Sequence, residues 1–275
     1  MIRSSFGREI HSRYKYTKAP HSLNLRVAHT SAPATQERFK LSVSNPIKAP
    51  KPKALPRSVD LRSRMPPVYN QGSLGSCTAN ALATLVQLND PTLQGSRLFL
   101  YYNERMIDGT IPDDAGAYLY DGIASLEDHG ICPETMWPYD IQKFAVTPPD
   151  PCYVNAETHQ VLASKNLAQN ATAMKTALND GHPFCVGIAI FPEFLSTAVA
   201  RTGVVSMPPR RARMVGGHAV VVVGYNDSTQ RWILRNSWGA SWGQKGYFTL
   251  PYAYLLNPSY ASDMWIITNI EKPGQ

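Results

Sequence analysis

The stretch Asn70-Gln71-Gly72-Ser73-Leu74-Gly75-Ser76-Cys77-Thr78-Ala79-Asn80 decides how this chain is read. A glutamine stands six residues before a cysteine, and the residues between them are rich in glycine and serine. Such a segment turns tightly and presents backbone N–H groups. After Cys77 the pattern becomes helical, with Ala79, Leu82, Ala83, Val86 and Gln87 spaced for one face. Cys77 is therefore expected at or near a helix N-terminus. Unpaired N–H groups and the helix dipole favour a thiolate there, and the thiolate is the form of cysteine that attacks a carbonyl carbon.

Outward from this stretch the chain divides in two. The helix that opens at Cys77 is expected to end near Asn89-Asp90-Pro91. A second helix is expected over 96–107, with Ser96 as its cap, and a third over 115–128, stopped by Gly130. Residues 131–155 read as a long proline-rich crossing, followed by a short helix over 172–178. From there the runs are β-branched and aromatic: 184–190, 218–225, 231–237, 246–250 and 264–268. A helical first half and a β-rich second half predict an α+β chain of two subdomains with a cleft between them.

Two later motifs supply what a nucleophilic Cys77 needs. In Gly216-Gly217-His218-Ala219-Val220, paired glycines permit close backbone approach just before an apolar strand. In Arg235-Asn236-Ser237-Trp238-Gly239, Asn236 ends a strand, where its side-chain oxygen can accept a hydrogen bond from His218. That bond would hold the imidazole toward Cys77, with Trp238 shielding it from water. The Cys77 N–H and the Gln71 side-chain amide would hold a developing oxyanion. The expected route is attack by a Cys77 thiolate paired with His218, then a thioester hydrolysed by water, with no cofactor and no metal.

The chain has 275 residues and 43% hydrophobic content, enough for one large domain or two small ones. Its longest strongly apolar runs, such as 219–223, are far shorter than the roughly 20 residues that span a bilayer. Charge is unevenly spread. Residues 1–53 hold 11 Lys and Arg against 2 acidic residues, a net +9, and the remainder holds 16 against 18, a net −2. Residues 1–54 therefore read as a basic, Pro/Ser-rich arm or short propeptide-like segment, and 55–275 as the main domain. His11, His21 and His29 read as solvated arm residues. The arm lacks the regular aromatic interleaving of a single-strand binder, so a nucleic-acid role is disfavoured. The first 30 residues lack the apolar core of a signal peptide, and the sequence leaves the compartment open. Of four cysteines, Cys132 and Cys152 could bridge across the proline-rich crossing, while Cys185 reads as a small buried hydrophobe.

Taken together, the Cys77 segment, Gly-His-Ala and Asn-Ser-Trp-Gly resemble the papain-like cysteine peptidases, over roughly residues 55–270, and in particular a bacterial branch of that family. The resemblance implies the order oxyanion glutamine, nucleophile, histidine, orienting asparagine on Gln71, Cys77, His218 and Asn236. It implies a helical left domain, a right domain built on a β-barrel-like sheet, and an extended peptide or protein substrate in the cleft. By motif position, Tyr118, Gly187, Val215, Gly217 and Ala219 resemble pocket-lining residues, and Ala115-Gly116 resembles the backbone that pairs with substrate. Trp238 belongs to the same set, and Asp263 falls near the floor of the S2 pocket, where it would tolerate arginine at P2. No histidine-rich insertion closes the primed side, so endopeptidase action is expected, by a monomer. The alternative is a catalytically silent papain-like protein-binding module. The chain departs from the family's local signature, a cysteine three residues before the nucleophile and an aromatic after it: Leu74 and Thr78 stand there, and Asp113 stands where the disulfide partner belongs. Packing alone is therefore expected to hold the left domain. Residues 1–54 lack the family's helical propeptide motif; their length still lets them cross the cleft and restrain the enzyme as a zymogen.

Overall fold

Two neighbouring strands, β3 (Phe184–Ile190) and β4 (Gly216–Asn226), are buried along almost their whole length. Their side chains alternate between two cores. Phe184, Val186 and Ile188 of β3 and Val220 and Val222 of β4 enter one core, while Cys185, Ala219, Val221 and Val223 enter the other. Period-two alternation with apolar groups on both faces marks a sheet that is covered on both sides. The chain is described here by a computed structural model of residues 54–272; residues 1–53, and with them the reading of the arm as a cleft-crossing segment, lie outside the described part.

The sheet is completed by β1 (Ser58–Asp60), β2 (Val161–Asn166), β5 (Arg231–Arg235), β6 (Tyr247–Pro251) and β7 (Ala261–Ile270). Its order is β2-β7-β3-β4-β5-β6, with β1 paired to β4, and every pairing is antiparallel. This corrects the barrel-like right domain expected from the resemblance. The sheet is open, with β2 and β6 as its edges. The face that a barrel would turn inward is filled by other groups. Phe194, Trp232, Phe248 and Tyr254 pack there, joined by Trp238, Trp242 and residues of the helix Ala171–Asn179. Burial of that face therefore needs no closure of the sheet on itself.

The other face meets the helical lobe. Helix α1 (Cys77–Asn89) is buried continuously from Cys77 to Val86, because small and apolar residues surround it on all sides. It lies between the sheet and helices α2 (Arg97–Asp108) and α3 (Leu119–Asp128). Gly122 makes the close packing of α3 feasible: a Cβ there would stand 2.3 Å from the Leu82 side chain and 2.5 Å from Glu104 Oε1. Ser96 caps α2 by accepting the Phe99 N–H at 3.1 Å, as its sequence position predicts. Helix α3 starts four residues later than the expected 115, and the segment before it is irregular.

The lobes are stitched together beside Cys77. Gln71 N–H donates to the Ser237 carbonyl at 2.8 Å, and Gly239 N–H donates to the Tyr69 carbonyl at 2.9 Å. The Arg235 guanidinium, almost fully buried, donates to the carbonyls of Pro66 and Pro67 at 2.5 Å each. These bonds carry the glutamine segment onto the end of β5. No helix among the described residues is long and apolar enough to cross a membrane.

Candidate active site

Cys77 is the first residue of α1, and Ser76 before it gives the helix no side-chain cap. The first-turn N–H groups are thus left to act on whatever stands at Cys77. The thiol also meets the backbone of Ala219, the residue after His218. Sheet pairing fixes that approach, because Ala219 lies opposite Gly187 and His218 opposite Ile188 in the β3–β4 register.

His218 Nε2 lies 2.7 Å from Asn236 Oδ1. The same oxygen accepts the Ser237 backbone N–H at 2.8 Å, so it is the acceptor and Nε2 carries the hydrogen. The lone pair of the neutral ring then sits on Nδ1, which is buried and has no hydrogen-bond partner among the described residues. Trp238 stacks on the imidazole with centroids 4.8 Å apart, and Phe194 and Trp242 hold the indole edge-on. The His–Asn bond is therefore sealed from water on its outer side.

The amide of Gln71 is held at both ends. Its Oε1 accepts from Ser237 Oγ at 2.6 Å, and its Nε2 donates to the Leu74 carbonyl at 3.0 Å. A side-chain amide nitrogen carries two hydrogens, so one remains for another acceptor. A buttress backs the segment. Asn80 Nδ2 donates to Ser76 Oγ at 3.1 Å, which lies 2.5 Å from the Tyr139 hydroxyl, and that hydroxyl donates to the Gln71 carbonyl at 2.9 Å. Arg97 anchors the buttress. It reaches Asn80 Oδ1 at 3.2 Å, forms a forked pair with Glu134, and lies between the rings of Tyr69 and Tyr139.

Cys77 and His218 are each 1% exposed. Burial pushes the Cys77 thiol up to about 12, against the lowering effect of the Ala219, Thr78 and Cys77 backbone groups. Burial pushes the His218 imidazole down to about 4, against the raising effect of Asn236. Burial thus favours the neutral form of each group and works against the thiolate–imidazolium pair expected from sequence. Beneath them Glu104 is completely buried and accepts from Thr78 Oγ1 at 2.6 Å. Burial raises its carboxyl well above the usual range, and its charge, where present, adds to the upward push on the Cys77 thiol.

The remaining candidates fall into two groups. Gly187, Val215, Gly217 and Ala219 lie on or beside β3 and β4, close to His218. Ala115, Gly116 and Tyr118 lie in the segment before α3, and Tyr118 stacks on Tyr120 at 5.1 Å. Asp263, on β7, has φ 58°; its carboxyl accepts from Trp265 Nε1 at 2.5 Å, and burial raises it against the lowering effect of Trp265 and of the Tyr120 and Leu119 backbone. The N-cap position of α3 is Tyr118, whose side chain makes no capping bond to the helix. All four cysteines are free thiols, Cys132 and Cys152 included. Among the described residues no group of three or more His, Cys, Asp or Glu side chains is arranged to hold a metal ion. Sequence reading missed Tyr139, Asn80, Glu104 and Arg97. An asparagine and a charged pair inside strongly apolar helices were the available signal.

A family model described as papain family cysteine protease matches residues 55–255. The chain belongs to the papain family of cysteine proteases. It is 39% identical over 258 residues to an uncharacterized peptidase C1-like protein of Acanthamoeba polyphaga mimivirus, covering 87% of this chain and 81% of that one. It is 31% identical to cysteine proteinase 3 of Entamoeba histolytica, covering 72% of this chain and 63% of the relative. Among solved structures it is similar to xylellain, a cysteine protease from Xylella fastidiosa, with 37% identity and a TM-score of 0.73 over 78% of this chain and 87% of that one. The Cys-His-Asn arrangement is that of a cysteine endopeptidase acting on peptide or protein substrates.

Proposed function

We propose that Cys77 is the nucleophile, His218 the proton carrier, Asn236 the residue that orients it, and Gln71 with the Cys77 N–H the oxyanion site. The observation that carries this is the single free nitrogen of His218: Nε2 is committed to Asn236, so Nδ1 is the atom left to exchange protons. Before substrate binds, burial favours the neutral thiol and imidazole. As sulfur attacks the scissile carbonyl, its proton passes to Nδ1, and each charge compensates the other. The oxyanion takes the Cys77 N–H and the second hydrogen of Gln71 Nε2. His218 then protonates the leaving amine and activates water against the thioester. Ala115-Gly116 offers backbone to an extended peptide, and Tyr118, Gly187, Val215, Gly217 and Ala219 line its P2 side, with Asp263 at the edge.

The basic arm, 1–54, is proposed to restrain the main domain, 55–275, which acts as a monomer. The reading is tested by hydrolysis of a fluorogenic Phe-Arg peptide under reducing conditions, using the full chain, its Cys77→Ala form and a chain starting at Leu55. Cleavage absent in Cys77→Ala and faster in the shortened chain is the expected result. Equal rates for the full and shortened chains would remove the restraint. Silence from both Cys77-containing forms across a varied P2 set would favour the binding module.

A further inference from the structure

The family's local signature places a cysteine where this chain has Leu74, and the disulfide implied by it would tie the nucleophile segment to the segment before α3. A chain of hydrogen bonds spans that gap here. Gly75 N–H donates to the Asp114 carboxylate at 2.9 Å to Oδ1 and 3.1 Å to Oδ2. Tyr101 OH donates to the same Oδ1 at 2.6 Å, and the Tyr101 oxygen accepts the Gly116 N–H at 3.1 Å. The directions are consistent throughout: both amides donate, the hydroxyl passes one bond on, and the carboxylate accepts. Tyr101 has no exposure and sits in the middle of α2, so the relay stands on a rigid element. Arg105, one turn along α2 and also fully buried, stacks on the Tyr101 ring at 4.2 Å and donates to the carbonyls of Ile111 and Asp113. The irregular segment is thereby fixed on both sides of Asp114. Gly116 has φ 74°, a conformation glycine adopts without strain, and the hydroxyl locks it there.

We infer that Asp114 and Tyr101 are positioning residues for proteolysis: they hold the nucleophile segment, through Gly75, in fixed relation to the substrate-pairing segment, through Gly116. Neither touches the reacting atoms. The device does with a carboxylate and a phenol what the family's signature does with sulfur, so reducing conditions leave it intact. It also makes the two ends separable. Tyr101→Phe releases Gly116 and leaves the Asp114–Gly75 bonds in place, whereas Asp114→Ala releases Gly75 and removes the acceptor that orients the Tyr101 hydroxyl under Gly116.

The inference rests on the reading of Ala115-Gly116 as the substrate-pairing backbone, and the test separates the two. The wild type, Tyr101→Phe and Asp114→Ala would each be assayed on a peptide reaching P3 and on an ester carrying P1 alone, with active sites titrated. Amide hydrogen exchange would be followed in peptides covering 72–77 and 114–118. Tyr101→Phe is expected to raise KM for the long peptide about fivefold, the loss of one hydrogen bond, to leave the ester unchanged, and to speed exchange only at 114–118. Asp114→Ala is expected to lower kcat/KM on both substrates and to speed exchange most at 72–77, where Gly75 loses its acceptor. Variants matching the wild type in kinetics and exchange would overturn the inference alone. So would a Tyr101→Phe defect equal on ester and peptide. A wild type indifferent to extension from P1 to P3 would overturn the pairing reading and the inference with it. Should Asp114→Ala fail to fold, Tyr101→Phe carries the test by itself, because it removes one oxygen and no packing surface.

Discussion

His218 Nε2 and Asn236 Oδ1 are 2.7 Å apart beneath the Trp238 ring, and the Ser237 N–H on the same oxygen fixes which way the amide faces. The imidazole is thereby held in one tautomer and one orientation. Asn236→Ala removes that control while leaving thiol, imidazole and oxyanion donors in place. The expected outcome is a fall of about a hundredfold in kcat with KM little changed, the lower end of what positioned proton transfer contributes. Steady-state kinetics on the Phe-Arg peptide, with active sites titrated, would check it. A loss confined to KM would speak against an orienting role.

Gln71 is committed to Ser237 and Leu74 by one acceptor and one hydrogen. Gln71→Ala deletes the remaining donor. Loss of one oxyanion donor costs about a hundred- to a thousandfold in kcat, and that range is expected here. Alkylation of Cys77 by a small reagent forms no oxyanion and should change by far less. Equal losses in both reactions would point to collapse of the segment instead.

Burial holds the Cys77 thiol up at about 12 and the His218 ring down at about 4. The thiolate fraction at neutral pH is accordingly small in this form. Iodoacetamide labelling of Cys77 in the full chain should rise about tenfold per pH unit through pH 7 to 10, since only the thiolate reacts. A plateau already reached by pH 6 would reveal a standing thiolate–imidazolium pair and contradict the neutral resting state. For His218 the linkage sign is also fixed. Its folded value is depressed, so the unfolded chain takes up more protons and stability drops as pH falls from about 6.5 toward 4.

The site was legible because its chemistry is written in contiguous motifs. Cys77 follows a glycine-rich turn and precedes a helical pattern, and the structure has that helix beginning on Cys77. His218 and Asn236 each sit beside a strongly apolar strand, and β4–β5 pairing brings those strands together. What stayed hidden depends on partners distant in sequence. Strand β2 exists because β7 pairs with it, and its own residues alternate weakly. The open sheet follows from what fills its second face, the Phe194–Trp238–Trp242–Phe248 group, which no local pattern announces. The left lobe was expected to rely on packing alone, and the Asp114–Tyr101 relay shows why that was incomplete. A tyrosine in a helix and an aspartate in a loop are ordinary until the fold sets them 2.6 Å apart.

Asp263 was placed near the S2 floor as a receptor for arginine at P2. Its carboxyl accepts from Trp265 Nε1, and the Tyr120 and Leu119 backbone at the start of α3 acts on it. A carboxylate engaged in this way supports the segment that carries Tyr118. Asp263→Ala is therefore expected to lower cleavage of P2-Arg and P2-Phe peptides by the same factor. A loss selective for P2-Arg would restore direct charge recognition and displace the supporting role.

Glu104 contributes to the pH dependence of the helical core. It is fully buried under α1, accepts from Thr78, and leaves Oε1 without a partner among the described residues. Desolvation raises its folded value well above that of an exposed glutamate. Between the unfolded and folded values the native chain therefore binds the extra proton, so this residue's contribution to stability falls as pH rises through that window. Glu104→Gln keeps an acceptor for Thr78 and cannot ionise. Thermal unfolding from pH 4 to pH 9 should show the variant gaining on the wild type steadily as pH rises, with the largest advantage at the alkaline end. An advantage that shrank with pH would mean that the folded carboxylate is favoured where it lies, and that the thiol of Cys77 works above a negative charge.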